Sequence, residues 1–383
     1  MTVIDKHTAK ECIKPIGLYV HIPFCKQKCL YCDFCSSPHP KDHYLLYVDS
    51  LLREIDGYSR SKKIKVDTLF FGGGTPSLLS HDQFERLVMA LKKTFDFSLD
   101  TEFTVEVNPK TLSLEKLNKY KDLGVNRLSI GLQSIHENEL KKLGRIHSFH
   151  DFLKTYDMVR AVGFDNINID VMYGIPEQTM ESFASTLRKV TELKPTHISC
   201  YGLIVEPGTP FYKMADSLGL PDEDTDYNMY RLACSVLGEA GYSHYEISNY
   251  AKDRFECRHN LKYWRDEEYI GIGISAHSYY EGRRFYNVSD ISEYFDYKAE
   301  KIRLKESDTV GIDNTEYIML RLRLKSGIDF SDYQRIFCKS FLHGREEFID
   351  KLISSGLAIL DDAGFRLTEK GFYLSNSIIS ALV

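Results

Sequence analysis

The stretch that decides the fold is residues 17–35, which read GLYVHIPFCKQKCLYCDFC. An apolar and β-branched run ends at a proline. It is followed by a short segment, the cysteine loop, that carries four of the nine cysteines in the chain: Cys25, Cys29, Cys32 and Cys35. The run before the proline predicts a β-strand that delivers the loop. So many cysteines within eleven residues predict a metal site rather than a set of packing residues.

The spacing C-x3-C-x2-C suits a cubane iron–sulfur cluster. Thiolates of Cys25, Cys29 and Cys32 can each reach a different iron of a [4Fe-4S] cluster, which leaves the fourth iron open to a bound molecule. Structural zinc usually takes two cysteine or histidine pairs far apart in sequence. Zinc, or a fourth cluster ligand at Cys35, is the alternative. Four solitary cysteines are interpreted as small buried side chains: Cys12, Cys200, Cys234 and Cys338.

The composition describes a folded protein of one large domain with an appendage, or of two domains. The chain has 383 residues, of which 43% are hydrophobic and 27% charged, and this excludes a disordered protein. A net charge of -6 offers no global field for nucleic acid or an anionic membrane. The sequence shows neither a membrane-spanning stretch nor a signal peptide, so we predict a cytoplasmic protein.

Beyond the cysteine loop, strand-like runs alternate with stretches of helical period, such as 82–94 and 180–193. Strand–helix units in series predict an α/β fold with a parallel sheet and right-handed crossovers. The six predicted strands are Tyr19–Ile22, Asp67–Phe71, Phe103–Val107, Arg127–Ile130, Asn166–Val171 and His197–Tyr201.

Residues 19–32, YVHIPFC-x3-C-x2-C, resemble the opening of the radical S-adenosylmethionine (SAM) superfamily. In detail they resemble the oxygen-independent coproporphyrinogen III oxidase family and its branch of HemW-type heme chaperones. The resemblance implies a partial (β/α)6 radical-SAM barrel. It also implies that SAM chelates the open iron through its amino and carboxylate groups, and that an electron from the cluster releases a 5'-deoxyadenosyl radical.

Glycine and polar residues at the predicted strand ends match SAM contacts of this family. Carboxylates and amides bind ammonium and hydroxyl groups, and an arginine pairs with a carboxylate. Gln133 and Asp170 are assigned to the ribose and Arg145 to the methionyl carboxylate. The Gly-rich loop, residues 72–76 (GGGTP), is assigned to the methionyl part. Tyr19 is predicted to stack on SAM or bond near it. The implied SAM contacts are Tyr19, Gly73, Gly74, Thr75, Glu106, Gln133, Arg145 and Asp170.

A second informative region, residues 245–264, holds the only tryptophan of the chain. Its HNLKYW segment places an imidazole beside two large aromatic side chains, a combination that can ligate an iron porphyrin and stack on it. The segment resembles the motif that separates HemW-type chaperones from the oxidases. We therefore predict His259 as a heme ligand, with His277 as the next candidate. The alternative is a core histidine with packed aromatic neighbours.

The last part of the chain predicts a C-terminal α+β module that is winged-helix-like. Helical stretches at 314–324, 331–337 and 345–355 precede a hairpin with an Asp-Ala-Gly turn. Acidic residues on the candidate recognition helix disfavour nucleic acid. We predict three parts: 1–240, the barrel with the cluster and SAM sites; 241–311, a connecting region; and 312–383, the C-terminal module.

The predicted function is that of a heme chaperone that binds a [4Fe-4S] cluster, SAM and heme and delivers heme to acceptor proteins. Only 24 residues precede Cys25, which leaves little room for the longer N-terminal segment of the oxidase branch. The alternatives are oxygen-independent coproporphyrinogen III oxidase, which decarboxylates propionate side chains, and another porphyrin-directed radical SAM enzyme. Implied partners are heme or a porphyrin, heme-accepting proteins and an electron donor such as flavodoxin or ferredoxin. Homodimer formation and the role of Cys35 stay open.

Overall fold

A computed structural model describes residues 14–60, 62–296 and 311–383. The expectation that Cys12 is buried falls outside these residues. Within them, one sheet of eleven strands and one of three strands form the framework. The strands are β1 Ile16–Ile22, β2 Lys65–Gly73, β3 Asp96–Val107, β4 Arg127–Gln133, β5 Asn166–Tyr173, β6 His197–Gly202, β7 Ser243–Glu246, β8 Asn249–Ala251, β9 Tyr269–Ile272, β10 His277–Tyr280, β11 Arg283–Tyr286, β12 Ile328–Asp329, β13 Ala358–Leu360 and β14 Gly364–Leu367.

Several of the helices begin at polar caps and bury one apolar face. Ser80, Ser148 and Thr179 each accept a backbone N–H of the first turn and form capping boxes. None of the helices in the described ranges is long and apolar enough to cross a membrane. The helices are α1 Lys41–Gly57, α2 His81–Thr94, α3 Leu114–Asp122, α4 Glu137–Lys142, α5 Phe149–Ala161, α6 Met180–Glu192, α7 Pro210–Lys213, α8 Glu223–Glu239, α9 Arg258–Trp264, α10 Ile291–Phe295, α11 Asn314–Arg321, α12 Phe330–Phe337, α13 Glu346–Ser354, α14 Glu369–Tyr373 and α15 Ser375–Leu382.

Strands β1 to β6 lie side by side in chain order, and every pair among them is parallel. This confirms the predicted α/β architecture. Parallel neighbouring strands are expected to be joined by right-handed strand–helix crossovers. Because parallel strands end at the same edge, the residues after β1 to β6 meet at one mouth of the curved sheet. Both predicted helices, 82–94 and 180–193, are present as α2 and α6, shifted by one residue at one end.

The sheet continues past the six parallel strands on both sides. On one side β1 pairs in parallel with β9, followed by β10 and β11, and on the other β6 pairs antiparallel with β8, followed by β7. These five strands come from the predicted connecting region, 241–311. That region is thus part of the same sheet as the barrel strands, and its division from the barrel stays a prediction.

The C-terminal module is α+β, as predicted. Its hairpin pairs β13 with β14, and β12 pairs with the other edge of β14. The module packs on α8, where the Tyr230 hydroxyl donates to the carbonyl of Glu369 at 2.9 Å. It also touches the turn between β7 and β8 through an antiparallel bridge of Leu324 with Glu246. Of the solitary cysteines, Cys200 and Cys234 are buried as expected.

Cys338 is exposed, which corrects the prediction of a buried side chain. It ends α12 in a left-handed backbone conformation with φ of 53°. A helix end of this kind lies at the surface because its last carbonyl groups need solvent or capping partners.

Candidate active site at the carboxyl ends of the barrel strands

A cavity of about 760 Å³ opens at the mouth of the parallel strands. Its volume is in the range of sites for small ligands and cofactors. It brings together predicted site residues that are up to 145 positions apart in the chain, because they lie on or after the neighbouring parallel strands β1 to β5. The predicted site residues that line it are Cys25, Cys29, Cys32, Gly73, Gly74, Thr75, Glu106, Gln133, Arg145 and Asp170.

Backbone hydrogen bonds fasten the cysteine loop at both ends and at its centre. Cys25 N donates to the carbonyl of Ser37 at 3.1 Å, which closes the loop on itself. Leu30 N donates to the carbonyl of Leu143 at 3.0 Å, and Phe211 N donates to the carbonyl of Leu30 at 3.1 Å. The loop is therefore held between the segments that follow β4 and β6, and Cys25, Cys29 and Cys32 line the cavity.

The cavity-facing thiols are partly buried. Burial raises the pKa of the Cys25 and Cys32 thiols above its usual value, so metal binding must displace protons from them. Thr75 Oγ1 lies 3.9 Å from the Cys25 sulfur, and Arg145 Nη1 lies 3.5 Å from the Cys29 sulfur. Across the described ranges no three His, Cys, Asp or Glu side chains converge closely enough to hold a single metal ion.

The fourth cysteine of the loop turns away from the cavity. The Cys35 sulfur lies 3.6 Å from the carbonyl of Ser289, and the Cys35 carbonyl is 2.8 Å from Nε2 of His21. Cys35 is not among the residues that line the cavity. Its environment fits a role in fixing the loop against the segment after β11.

The Gly-rich loop after β2 allows the backbone to approach the cysteine loop closely. Gly73 has φ of +110°, a conformation that side chains disfavour, and its N–H donates to Glu106 Oε2 at 3.0 Å. A Cβ on Gly74 would lie 2.7 Å from the carbonyl oxygen of Phe24 and 3.0 Å from the Cys25 sulfur. A side chain at Gly74 would therefore displace the cysteine loop, whereas a Cβ on Gly73 would lie 2.6 Å from the ring of His21.

Two carboxyl groups in the wall have raised pKa values. Burial, and then the charge of Asp170, raises the pKa of Glu106 to about 8. Burial also raises the pKa of Asp170, although Asn168 Nδ2 donates to its carboxylate at 2.6 Å. A positive charge or further donors near either group would favour its carboxylate form. The pair is thus suited to a ligand that brings an ammonium group and hydroxyl groups.

Arg145 supplies positive charge on the same wall. Its Nη2 donates to Asn108 Oδ1 at 2.6 Å and to the carbonyl of Gly131 at 3.0 Å. Asn108 in turn donates to Thr75 Oγ1 at 2.8 Å. The hydrogen-bond partners of Arg145 among the described residues are a sulfur, an amide oxygen and a carbonyl, so its guanidinium can pair with the carboxylate of a ligand.

Sequence reasoning missed several polar residues in the wall. The Tyr201 hydroxyl donates to Gln133 Oε1 at 3.0 Å, and Gln133 itself has φ of +72°. His147 lines the cavity with its ring Nε2 3.3 Å from the carbonyl of Leu132, and burial lowers its pKa to about 3, so it is neutral. The LGRIH segment that contains Arg145 was the available signal for His147.

Tyr19 lies behind the cavity wall rather than in it. Its ring neighbours Phe70, and its hydroxyl is 3.0 Å from Nδ1 of His21. A Cβ on Gly72 would meet the Tyr19 ring at 3.0 Å. Tyr19 is not among the lining residues and contacts the Gly-rich loop from beneath, and its role in stacking on SAM or bonding near it stays a prediction.

His259 is in the core of the barrel, which corrects the expectation that it faces a ligand. It is 1% exposed, and both ring nitrogens are engaged at 2.8 Å, by Thr68 Oγ1 and by the Tyr263 hydroxyl. Its backbone N–H donates to Glu102, which caps α9. Burial lowers the pKa of His259 to about 3. An iron ligand would need one of these nitrogens, so this conformation matches the alternative of a core histidine.

His277 also lies outside the cavity. It is exposed on β10, and its ring stacks on Tyr286 with centroids 5.1 Å apart. Neither histidine named as a heme-ligand candidate therefore borders the cavity that contains the cysteine thiols.

The residues of the cavity fit both a cluster and SAM. Three partly buried thiols line the cavity, and the guanidinium of Arg145 lies beside the Cys29 sulfur. The carboxyl groups of Glu106 and Asp170 can accept hydrogen bonds from an ammonium group and from hydroxyl groups. Gly74 leaves space beside the sulfur of Cys25. This donor set is complementary to an amino acid joined to a nucleoside.

Comparisons with known proteins agree with this geometry. Residues 19–190 match the radical SAM superfamily, and residues 315–374 match the HemN C-terminal domain. The chain is 38% identical over 368 residues to heme chaperone HemW of Lactococcus lactis, covering 95% of this chain and 96% of that protein. It is 35% identical over 375 residues to heme chaperone HemW of Bacillus subtilis, covering 95% of this chain and 98% of that protein.

Similarity in three dimensions extends over the whole length. The solved structure of coproporphyrinogen III oxidase (HemN) from Escherichia coli superposes with a TM-score of 0.83 at 26% identity, covering 96% of this chain and 90% of that chain. Heme chaperone HemW of Escherichia coli is 34% identical over 382 residues, covering 96% of this chain and 98% of that protein. The chain therefore belongs to the HemW family within the radical SAM superfamily.

Proposed function

We propose that this protein is a heme chaperone that holds a [4Fe-4S] cluster and SAM and delivers heme to acceptor proteins. The observation that carries the proposal is the similarity to heme chaperone HemW of three bacteria at 34 to 38% identity over nearly the full length. Membership of the radical SAM superfamily implies the cluster and SAM. We place this activity in the cytoplasm.

The residues of the cavity divide between the two cofactors. Cys25, Cys29 and Cys32 would hold the cluster, and Arg145 would pair with the methionyl carboxylate of SAM. Glu106 would accept from the amino group beside the Gly-rich loop. Gln133 and Asp170 would bind the ribose. When bound together, the cluster and SAM supply one-electron chemistry at the sulfonium group.

The heme site of the proposal does not depend on His259. Its ring nitrogens are bonded to Thr68 and Tyr263, and breaking both bonds in the core would leave buried polar atoms unpaired. The chaperone proposal therefore stands on the family relationship, and the axial ligand of heme is open to experiment.

Heme titration followed by transfer tests the proposal. The reconstituted protein, kept anaerobic, is titrated with heme and followed by its Soret absorbance. It is then mixed with an apo-protein that needs heme, such as an apo-cytochrome, whose activity is measured. We expect stoichiometric heme binding and faster reactivation than with free heme. Heme that stays bound, or an acceptor that gains nothing over free heme, would count against a chaperone.

Matched cysteine variants separate the cluster from general thiol effects. Cys29→Ala removes a predicted cluster ligand, whereas Cys338→Ala removes an exposed thiol that does not line the cavity. We expect transfer to change in the first variant and to match the native protein in the second. Equal transfer by all three proteins would show that heme delivery does not need the cluster.

A second candidate is oxygen-independent coproporphyrinogen III oxidase activity. The TM-score of 0.83 with HemN over 96% of this chain favours it, together with a cavity whose predicted SAM residues are present. The discriminating assay contains the reconstituted protein, SAM, a strong reductant and coproporphyrinogen III. Both 5'-deoxyadenosine and decarboxylated porphyrinogen in the mass spectrum would establish the oxidase. Deoxyadenosine alone would leave a working SAM site without this activity.

The remaining parts of the proposal concern organisation and partners. An electron donor such as flavodoxin or ferredoxin would reduce the cluster, and the heme acceptors would bind near the cavity mouth. We also propose that the chain divides into three parts: 1–240 with the cluster and SAM sites, 241–311 as a connecting region, and 312–383 as the C-terminal module. The first two parts share one sheet. Homodimer formation is testable by light scattering.

A further inference from the structure

A buried oxygen atom on the cavity wall lacks a hydrogen-bond donor. The side chain of Asn249 is 8% exposed and lines the cavity. Among the residues that the structure describes, no donor reaches its Oδ1 atom. A buried acceptor that stays unpaired costs free energy, so its presence in the wall of a ligand cavity points to a donor on the ligand.

The sheet register places Asn249 beside residues predicted to hold the ribose. Asn249 of β8 pairs with Ser199 of β6, and Ser199 pairs with Asp170 of β5. Paired residues on neighbouring strands project to the same face of a sheet, and all three side chains line the cavity. They form a continuous polar row across three strands.

The orientation of the Asn249 amide follows from the carboxylate of Glu246. This carboxylate accepts the indole N–H of Trp264 at 2.7 Å and the backbone N–H of Ser248 at 3.3 Å. Burial raises the pKa of Glu246, and the Asn249 side chain, acting as a donor, lowers it. Because a carboxylate only accepts hydrogen bonds, the amide nitrogen of Asn249 faces Glu246. The amide oxygen of Asn249 then faces the cavity. Trp264, at the end of the HNLKYW segment, thereby fixes the cavity wall through Glu246.

We infer that Asn249 Oδ1 accepts a hydrogen bond from the nucleoside half of SAM, from a ribose hydroxyl or the adenine amino group. Glu246 and Trp264 are positioning residues for this contact. The inference rests on the proposed SAM site and adds to it a contact from β8. The predicted methionyl contacts Gly73 and Glu106 lie at the ends of β2 and β3, and β4, β5 and β6 separate them from β8.

The first test measures SAM affinity at matched iron and sulfide content. Asn249→Leu keeps the size of the side chain and removes the acceptor, and we expect the dissociation constant from calorimetry to rise about 2- to 12-fold. Thr104→Val is the matched control, because the Thr104 hydroxyl is likewise buried without a partner but lies outside the cavity. Its affinity for SAM is expected to equal that of the native protein. Should Asn249→Leu lose iron, Asn249→Ala replaces it with the same expectation.

Analogues of SAM identify the donor group. One set lacks the 2'- or the 3'-hydroxyl, and another carries oxygen in place of the adenine amino group. For the analogue that lacks the relevant donor, the native protein should lose affinity while Asn249→Leu loses none. Trp264→Phe, which removes the indole N–H and keeps an aromatic ring, should weaken the same discrimination.

The outcomes separate this inference from the proposal on which it rests. If the native protein binds SAM but discriminates among the analogues as Asn249→Leu does, the inferred contact is wrong and the SAM site stands. If the native protein with a full cluster binds no SAM, the proposed SAM site itself is overturned.

Discussion

Glu106 provides the sharpest test of how the cavity treats SAM. Its carboxyl accepts the N–H of Gly73 at 3.0 Å, and burial together with the charge of Asp170 raises its pKa to about 8. Arg127 is the charged neighbour that opposes this rise. To accept a hydrogen bond from the amino group of SAM as a carboxylate, Glu106 must lose its proton when SAM binds. Glu106→Gln keeps the shape of the side chain and removes the titration.

The magnitude follows from the pKa. A group with a pKa of about 8 is about nine-tenths protonated at pH 7, so SAM binding should release about 0.9 proton more from the native protein than from Glu106→Gln. The direction of the pH dependence follows from the same change. SAM binding lowers the pKa of Glu106, so protons compete with SAM and its affinity falls as the pH falls below 8. Relative to the variant, native affinity should drop about 50-fold between pH 8 and pH 6.

Calorimetry in buffers of different ionisation enthalpy measures this proton release. The SAM amino group titrates in the same range, but its contribution is common to both proteins and cancels in the difference. Iron and sulfide content must be equal in the two samples. Equal proton release by the native protein and Glu106→Gln, or parallel pH profiles of affinity, would show that Glu106 does not change protonation when SAM binds.

Further predictions concern the cluster, the arginine and the core histidine. Cys29→Ala should abolish the cluster while Cys35→Ala retains it, and iron and sulfide analysis that found full clusters in both would refute the ligand assignment. Arg145→Ala should weaken SAM binding about 10- to 150-fold without loss of iron, as expected for hydrogen bonds to a charged group. The exposed Arg160→Ala should match the native protein in the same calorimetry. His259→Gln should lower the free energy of unfolding by about 1–3 kcal/mol and leave the heme spectrum unchanged. A shifted Soret band in that variant would restore His259 as a ligand.

The parallel strands and most of the cavity were predictable from local sequence. Apolar runs of strand length, each followed by glycine or polar residues, placed Gly73, Glu106 and Asp170 at strand ends. A parallel sheet gathers such ends at one edge, so their proximity followed from the order of elements alone. The resemblance to the radical SAM superfamily added their roles.

The position of the HNLKYW segment was not predictable in this way. An imidazole beside aromatic rings suits heme and suits a core equally well, and only tertiary contacts decide between them. In the structure Glu102, on the central strand β3, caps α9 by accepting the backbone N–H groups of Arg258 and His259. These bonds hold the first turn of α9 against the sheet. Strand β9 pairs with β1, which lies about 250 residues earlier in the chain, and no local sequence pattern predicts such a distant pairing. Asn249 was overlooked because its unpaired oxygen exists only once β8 joins β6.

The hydrogen bonds that hold the cysteine loop have a consequence for the life of the protein in air. Leu30 is tied to the segments after β4 and β6, and Cys25 to Ser37, through the main chain alone. None of these ties passes through a metal atom. Small zinc domains unfold when the metal leaves, because the metal provides most of their folding energy. Here main-chain hydrogen bonds hold the loop, so we expect that a cluster destroyed by oxygen can be rebuilt on the same chain without a new round of folding.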